Sequence, residues 1–283
     1  MKALDLYLNR VKNLPPSPTV AIQLLELFSD PDRDIDRIVD IIKLDPSLTA
    51  ATLKRCNSSA FSGAEPASDM FEAVCRLGLY EVYCIVTGMI ASQTMTQVRS
   101  KYSWDSTRLW RHTVTTAVIA SILAKRVEVM EATAFTAGLL HDIGKLIFVS
   151  TEGVAYAEMA RNAGLFGPAL VTAEESVMGF SHAALGARLL ARWELPENIC
   201  HAVEFHHQSP ATVKHHQRLA ATVHFANSLA HELVDGPAQA PVAAVANAEA
   251  MALIALKDKD IPTVVQQINQ AMERHQGLLQ MQR

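Results

Sequence analysis

IDRIVDIIKLDPSLTAATLKRC, residues 35 to 56, decides the fold class. Ile35, Ile38, Val39 and Ile42 recur at i, i+3, i+4 and i+7, while Asp36, Arg37, Asp40 and Lys43 fall on the other face. A period of 3.6 residues gathers those four apolar side chains into one stripe, so the spacing predicts an amphipathic helix. Asp34 can cap its start. The residue before a proline is pushed out of the helical region, which ends the helix near Asp45. Pro46 lacks an N–H that a first helical turn leaves unpaired anyway, so it opens a second helix running to about Cys56.

Outward from there the same reading repeats. Asn57 to Ser68, rich in Ser, Gly and Pro, reads as a loop. Helices resume over about 69–77 and 79–95, then over 105–127 and near 131–142, 152–163, 168–178, 182–194, 196–207 and 215–234. Asp235-Gly236-Pro237 breaks the last of these, before an Ala-rich helix to about Lys257 and a final one from Ile261 to Leu279. Val264, Ile268 and Met272 of that last helix form a stripe expected to pack onto the body. No run alternates with period two, and no Asn-Gly or Asp-Gly turn separates strand-like runs. The expected class is all-α. Polar residues from Gln97 to Thr107 suggest a boundary, giving a helical lobe over 1–100, a second over 101–235 and a C-terminal helical extension over 236–283.

Composition excludes several functions. The chain has 283 residues, 49% hydrophobic and 19% charged, with a net charge of −4. Lys54-Arg55 and Lys125-Arg126 are isolated pairs, so no basic stripe argues for nucleic acid. Cys56, Cys75, Cys84 and Cys200 form no CxxC and no regular framework, and are read as thiols packed as small hydrophobes in a reducing compartment. The N-terminal MKALDLYLNRVKNLPPSP has no long apolar core and no small-residue cleavage site. Val82 to Ala91 is shorter than the ~20 residues a membrane helix needs, and Ala132 to Val149 is interrupted by His141, Asp142 and Lys145. The expectation is a cytoplasmic protein without a membrane partner.

The chemistry is carried by His112, the pair His141-Asp142, His182 and the pair His206-His207, each inside an apolar stretch read as helix. Titratable side chains are costly to bury without partners, and a metal ion would gather several imidazoles and a carboxylate. Consecutive residues on a regular helix point about 100° apart, so His141 and Asp142 need a break to face one target. Gly144 is expected to supply it by ending the helix. His182 follows Ser181, a good N-cap, and shares a face with Leu185, Leu189 and Trp193, while His206 and His207 fall on the buried side of Ile199. A bound ion could lower the pKa of its water to about 7 and polarise a phosphoryl oxygen. Plainer readings stand beside this: a structural His141–Asp142 hydrogen bond, core histidines at 112 and 182, and one structural or exposed member of the 206–207 pair. His201, His215, His216 and His275 are expected at the surface.

His112, then HDIGK (141–145), His182 and His206-His207 resemble the HD superfamily of metal-dependent phosphohydrolases. LPPSP (14–18), DPSL (45–48), RCNSSAF (55–61), AVCRLG (73–78), WRH (110–112), AGLLHDIGKL (137–146), SHAALGARLLARWELP (181–196) and VHFAN (223–227) extend the resemblance to one branch, the HDOD (HD-related output) domain of bacterial signalling proteins, from about Leu14 to Leu233. The resemblance implies an HD-like helical lobe preceded by an N-terminal helical lobe. It implies that His112, His141, Asp142, His182, His206 and His207 match the ligands of two-metal members. Asn227 then falls where those members carry a closing aspartate, and Lys145 matches a lysine that contacts substrate phosphate. Gln208 stands where the cyclic-di-GMP phosphodiesterase branch has glutamate, and that branch's Gly-Tyr-Pro signature is absent, so its substrate does not carry over.

Two divalent ions bring four positive charges against the single negative charge of Asp142, so the sequence favours at most one well-held ion (Fe, Mn or Zn). His224 and His231, three residues before and four after Asn227, could replace a ligand or pack against the site. The leading expectation is a regulatory module acting through contact with a signalling protein, its HD-type site degenerate. The alternatives are a metal-dependent phosphohydrolase acting on a nucleotide or phosphoester, and an iron-based redox or ligand sensor.

Overall fold

Aspartates start three of the first helices, as a side-chain oxygen at the N-cap accepts from N–H groups that the helix leaves unpaired. Asp34 accepts from the Asp36 N–H at 2.9 Å, Asp45 from Ser47 at 2.7 Å and Leu48 at 3.2 Å, and Asp69 from Phe71 at 2.6 Å and Glu72 at 3.2 Å. The computed structural model describes residues 2–11, 19–30, 32–58, 61, 66–67, 69–99, 106–163, 167–210, 213–235 and 241–279. Among them there are helices and connections but no strand. The LPPSP stretch, most of 59–65 and residues 236–240 lie outside the described residues.

The helices are α1 (Lys2–Arg10), α2 (Thr19–Ser29), α3 (Ile35–Lys43), α4 (Pro46–Cys56), α5 (Met70–Leu77) and α6 (Leu79–Arg99). They continue with α7 (Ser106–Ala124), α8 (Glu131–Leu140), α9 (Ile143–Glu152), α10 (Val154–Ala163), α11 (Pro168–Met178) and α12 (His182–Arg192). The last are α13 (Glu197–Phe205), α14 (Gln217–Asp235), α15 (Pro241–Leu253), a 3-10 turn (Asp258–Asp260), α16 (Ile261–Arg274) and α17 (Gln276–Leu279). Gly78, at φ 79°, ends α5 and turns the chain into α6, a conformation an L side chain resists.

α7 is the central helix, packed on α8, α14 and α16, while α12 lies against both α9 and α13. α2, α4 and α5 gather on α6, which in turn meets α7 and α8. α1 docks on α12 through Arg188–Asp5 at 2.6 Å and Arg192–Asn9 at 3.0 Å. The buried apolar residues form one continuous cluster from Leu8 to Leu278. Val264 and Ile268 bury as expected, and Trp110 Nε1 donates to the Leu278 carbonyl at 2.8 Å. The stretch Glu131–Glu152 is long and apolar enough to cross a membrane, yet its apolar window lies wholly inside the fold, as a core helix does.

Three expectations fail. Gly144 does not end a helix: the break falls at Asp142 (φ −99°, ψ 10°), and Gly144 sits in the first turn of α9, which the sequence reading missed. A Cβ at Gly144 would overlap the His182 carbonyl oxygen, so its role is to let α9 approach α12. His275 is buried rather than at the surface, with Nδ1 3.6 Å from Glu81 Oε2. Cys56 and Cys84 are buried free thiols as expected, but Cys75 is exposed.

Candidate metal centre

The pocket forms where α7, the α8–α9 junction, α12, the end of α13 and α14 meet. Interrupting the helix at 141–142 lets adjacent residues converge. The His141 ring turns back, its Nδ1–H donating to the Gly138 carbonyl at 2.7 Å. His206 does the same at the end of α13, donating from Nδ1 to the Val203 carbonyl at 2.6 Å. A carbonyl oxygen only accepts, so both rings carry their proton on Nδ1 and present the Nε2 lone pair to the pocket. His206 Nε2 is buried and makes no hydrogen bond among the described residues.

His182, the first residue of α12 after the Ser181 cap, is aimed by a carboxylate that the sequence reading did not single out. Glu174 on α11 is fully buried, and its Oε2 accepts from His182 Nδ1 at 2.6 Å and from the His182 backbone N–H at 2.7 Å. Tyr156 OH donates to Glu174 Oε1 at 2.6 Å. A ligand histidine held at its outer nitrogen by a carboxylate is a recurrent device for fixing tautomer and orientation. The available signal was Glu174 lying four residues after Leu170 on the buried face of α11, although the adjacent Glu175 blurred it.

Asp142 lies at the centre. Its Oδ1 is 3.2 Å from His182 Nε2 and 3.8 Å from His206 Nε2. Its Oδ2 is 3.2 Å from His141 Nε2, 4.0 Å from His112 Nε2 and 2.8 Å from Lys145 Nζ. His207, partly buried at the rim, brings Nε2 to 3.1 Å from His182 Nε2. His112 donates from Nε2 to Asn227 Oδ1 at 2.8 Å. Every residue expected at the site therefore converges there, Asn227 and Lys145 included. His224 packs beside it, Nδ1 donating to the His206 carbonyl at 2.9 Å. By contrast, His201 is only partly buried, and its ring centroid stands 6.3 and 5.8 Å from those of the exposed His215 and His216.

The pocket perturbs its own titrations. Burial would raise the Asp142 carboxyl, but the adjacent His141 and Lys145 hold it well below the usual carboxylate range. Burial pushes His112, His206 and His207 well below the usual imidazole value, reinforced by neighbouring imidazoles. Burial also opposes charge on His182, but Glu174 and Asp142 outweigh it and raise that imidazole.

Two groups of donors could hold a metal ion: Asp142, His182, His206 and His207, and His112, His141 and Asp142, each set lying within 4.8 Å. Four ligands at 2.0–2.2 Å around one ion stand about 3.3–3.6 Å apart in a tetrahedron. The separations of 3.1, 3.2 and 3.8 Å in the first group bracket that spacing to within a few tenths of an ångström, and its nitrogens suit a divalent transition metal.

The sequence model of the HDOD domain matches residues 14–209. An uncharacterised protein of Treponema pallidum is 28% identical over 230 residues, 77% of this chain but 42% of that protein, so the chain spans less than half the length of that relative. Ribonuclease Y of Symbiobacterium thermophilum is 31% identical over 113 residues, 39% of this chain and 17% of the nuclease. The crystal structure of an HDOD domain protein of unknown function from Geobacter sulfurreducens superposes with a TM-score of 0.79 at 24% identity, over 99% of this chain and 97% of that one, and shares its fold. With a family match over most of its length and the histidine–aspartate pocket in place, the chain belongs to the HDOD family.

Proposed function

We propose that this chain is a bacterial signal-transduction module that acts by contact with a signalling protein, built around an HD-type pocket that holds at most one metal ion. The observation that carries this reading is Asn227. It lies in the pocket, 2.8 Å from His112, and supplies an amide where an ion pair would need a carboxylate. An amide oxygen can coordinate but neutralises nothing. Glu174 adds a negative charge that the sequence-based count omitted, but it is spent on His182 and Tyr156 rather than offered to an ion. In this reading His112, His141, Asp142, His182, His206 and His207 are the ligand set inherited from the superfamily, with the metal-holding ability of the pocket serving the fold rather than turnover.

The test is hydrolysis of nucleotides, a nitrophenyl phosphodiester and single-stranded RNA by protein whose iron, manganese and zinc contents have been measured. No phosphate or phosphodiester turnover by metal-loaded protein is expected. Turnover that disappears in Asp142→Ala overturns the reading.

A second reading, a metal-dependent phosphohydrolase, has one observation in its favour. Asp142 is shared by two donor groups, with the Lys145 ammonium beside them, 2.8 Å from its carboxylate. The same assay decides between the two.

A further inference from the structure

We propose that His201, His215 and His216 form a second transition-metal site, on the surface where α13 gives way to α14, at which one zinc ion ties the two helices together. The site lies outside the histidine pocket and does not depend on what that pocket binds.

His201 is the anchored member. It sits midway along α13 with its ring 4.5 Å from that of Phe205. Its Nδ1 is shielded from solvent and makes no hydrogen bond among the described residues. A shielded polar atom is costly without a partner, and a metal ion supplies one. The other two histidines arrive from the turn before α14. The ring centroid of His216 stands 5.8 Å from that of His201, and that of His215 stands 6.3 Å away. Consecutive side chains on a regular helix point about 100° apart. Here the backbone is not helical: His216 has a left-handed φ of 49°, its carbonyl accepting from the Ala220 N–H at 3.1 Å as α14 begins. Both rings therefore stand beside the same imidazole. Burial keeps His201 below the usual imidazole value, Glu204 opposing and His216 and His215 reinforcing it, which leaves a lone pair for an ion at neutral pH.

Imidazoles that share one tetrahedral zinc at ~2.0–2.1 Å have ring centroids about 5.2 Å apart. The observed spacings are wider by roughly 0.6 and 1.1 Å, a gap that rotation of the exposed His215 and His216 side chains can close. The pocket's donor groups lie tighter, each within 4.8 Å. The surface site thus assembles around its ion and binds it more weakly than a preformed one. Three imidazoles suit zinc rather than a hard cation, and leave the fourth position to water. An ion held there brackets residues 202–214, the segment that carries His206 and His207 into the pocket.

Chelator-stripped wild type and a His215→Ala/His216→Ala double variant, compared by equilibrium dialysis against Zn²⁺, test this without reading activity. The double variant should bind one Zn²⁺ per chain fewer, and His201→Ala should lose the same ion. Both His215 and His216 are exposed, so the double variant should melt with metal-free wild type. Diethyl pyrocarbonate modification, read peptide by peptide in wild type, locates the ion. Micromolar Zn²⁺ should protect His215 and His216, and Mg²⁺ should not. His207→Ala removes a donor from the pocket and should leave that protection unchanged. Equal zinc uptake by wild type and the double variant would overturn the proposal. So would protection that needs millimolar zinc, which is adventitious surface chelation only, equal protection by Mg²⁺, or protection lost in His207→Ala. None of these outcomes bears on the signalling reading, which stands or falls on turnover.

Discussion

Two polar clusters among the described residues each combine an imidazole, a carboxylate and a cationic side chain. At the junction of α4, α6 and the end of α16, Arg55 Nε meets Glu81 Oε1 at 2.9 Å and His275 Nδ1 lies 3.6 Å from Glu81 Oε2. Arg55 also donates to the Arg274 carbonyl and stacks over Phe61 at 4.5 Å. Here each charged group has an opposite neighbour, and the side chains keep a little solvent exposure, so the cluster reads as a tie between the C-terminal helices and α4–α6. In the histidine pocket five imidazoles surround one carboxylate, and donor capacity is left over. The contrast teaches that surplus, aimed donor atoms mark a site better than histidine count does.

The largest effect should come from Asp142→Ala. It strands the Lys145 ammonium in the core, and removing one partner of a buried pair costs about 3–5 kcal/mol. Urea unfolding of metal-free protein measures it, and a cost no greater than that of Glu81→Ala would erase the contrast between the clusters.

The pocket should also make stability depend on pH. His112, His206 and His207 are held below their usual values when folded, so below about pH 6.5 the unfolded chain takes up protons that the native one refuses. Their contribution is present above that pH and is lost as pH falls, by up to about 1.4 kcal/mol per pH unit for each histidine. His182, shifted upward, works the other way and is stabilising at low pH. The net expectation, three against one, is a melting temperature of chelator-treated protein that drops from pH 7.5 to 5.5. A flat profile would show that the imidazoles protonate without cost.

Gly144→Ala should cost about 2–3 kcal/mol by forcing α9 away from α12, read as a lower urea midpoint with an unchanged slope. Wild-type stability in that variant would mean the crossing is loose, against the close approach of Gly144 and Gly186. The smallest effect belongs to the second cluster. Glu81→Gln keeps a hydrogen-bonding oxygen near Arg55 and should cost about 1 kcal/mol, less at high salt. A cost above that of Gly144→Ala would make the cluster more than a tie.

Helices with one apolar face were legible because period 3.6 is written directly into them. The Ile35–Lys43 helix and the Pro46–Cys56 helix match their expected bounds. α9 was not legible, since Ile143 to Val149 is buried on every side and shows no polar face to phase it. The same loss of contrast turned Gly144 into an apparent terminator. Glu174 and His275 were missed for a related reason: their burial is set by what packs over them, and α11 carries only Leu170 and Glu174 as buried residues.

The sequence by itself determined the all-α class, the order of the pocket's histidines and the amide at position 227, because these depend on residue type and local spacing. The tertiary structure alone decided that Glu174 orients His182 and that Asn227 meets His112 inside the pocket. Those are contacts between chain segments that no local pattern encodes: Glu174 and His182 lie on different helices, His112 and Asn227 stand 115 residues apart, and only packing sets which buried charge meets which.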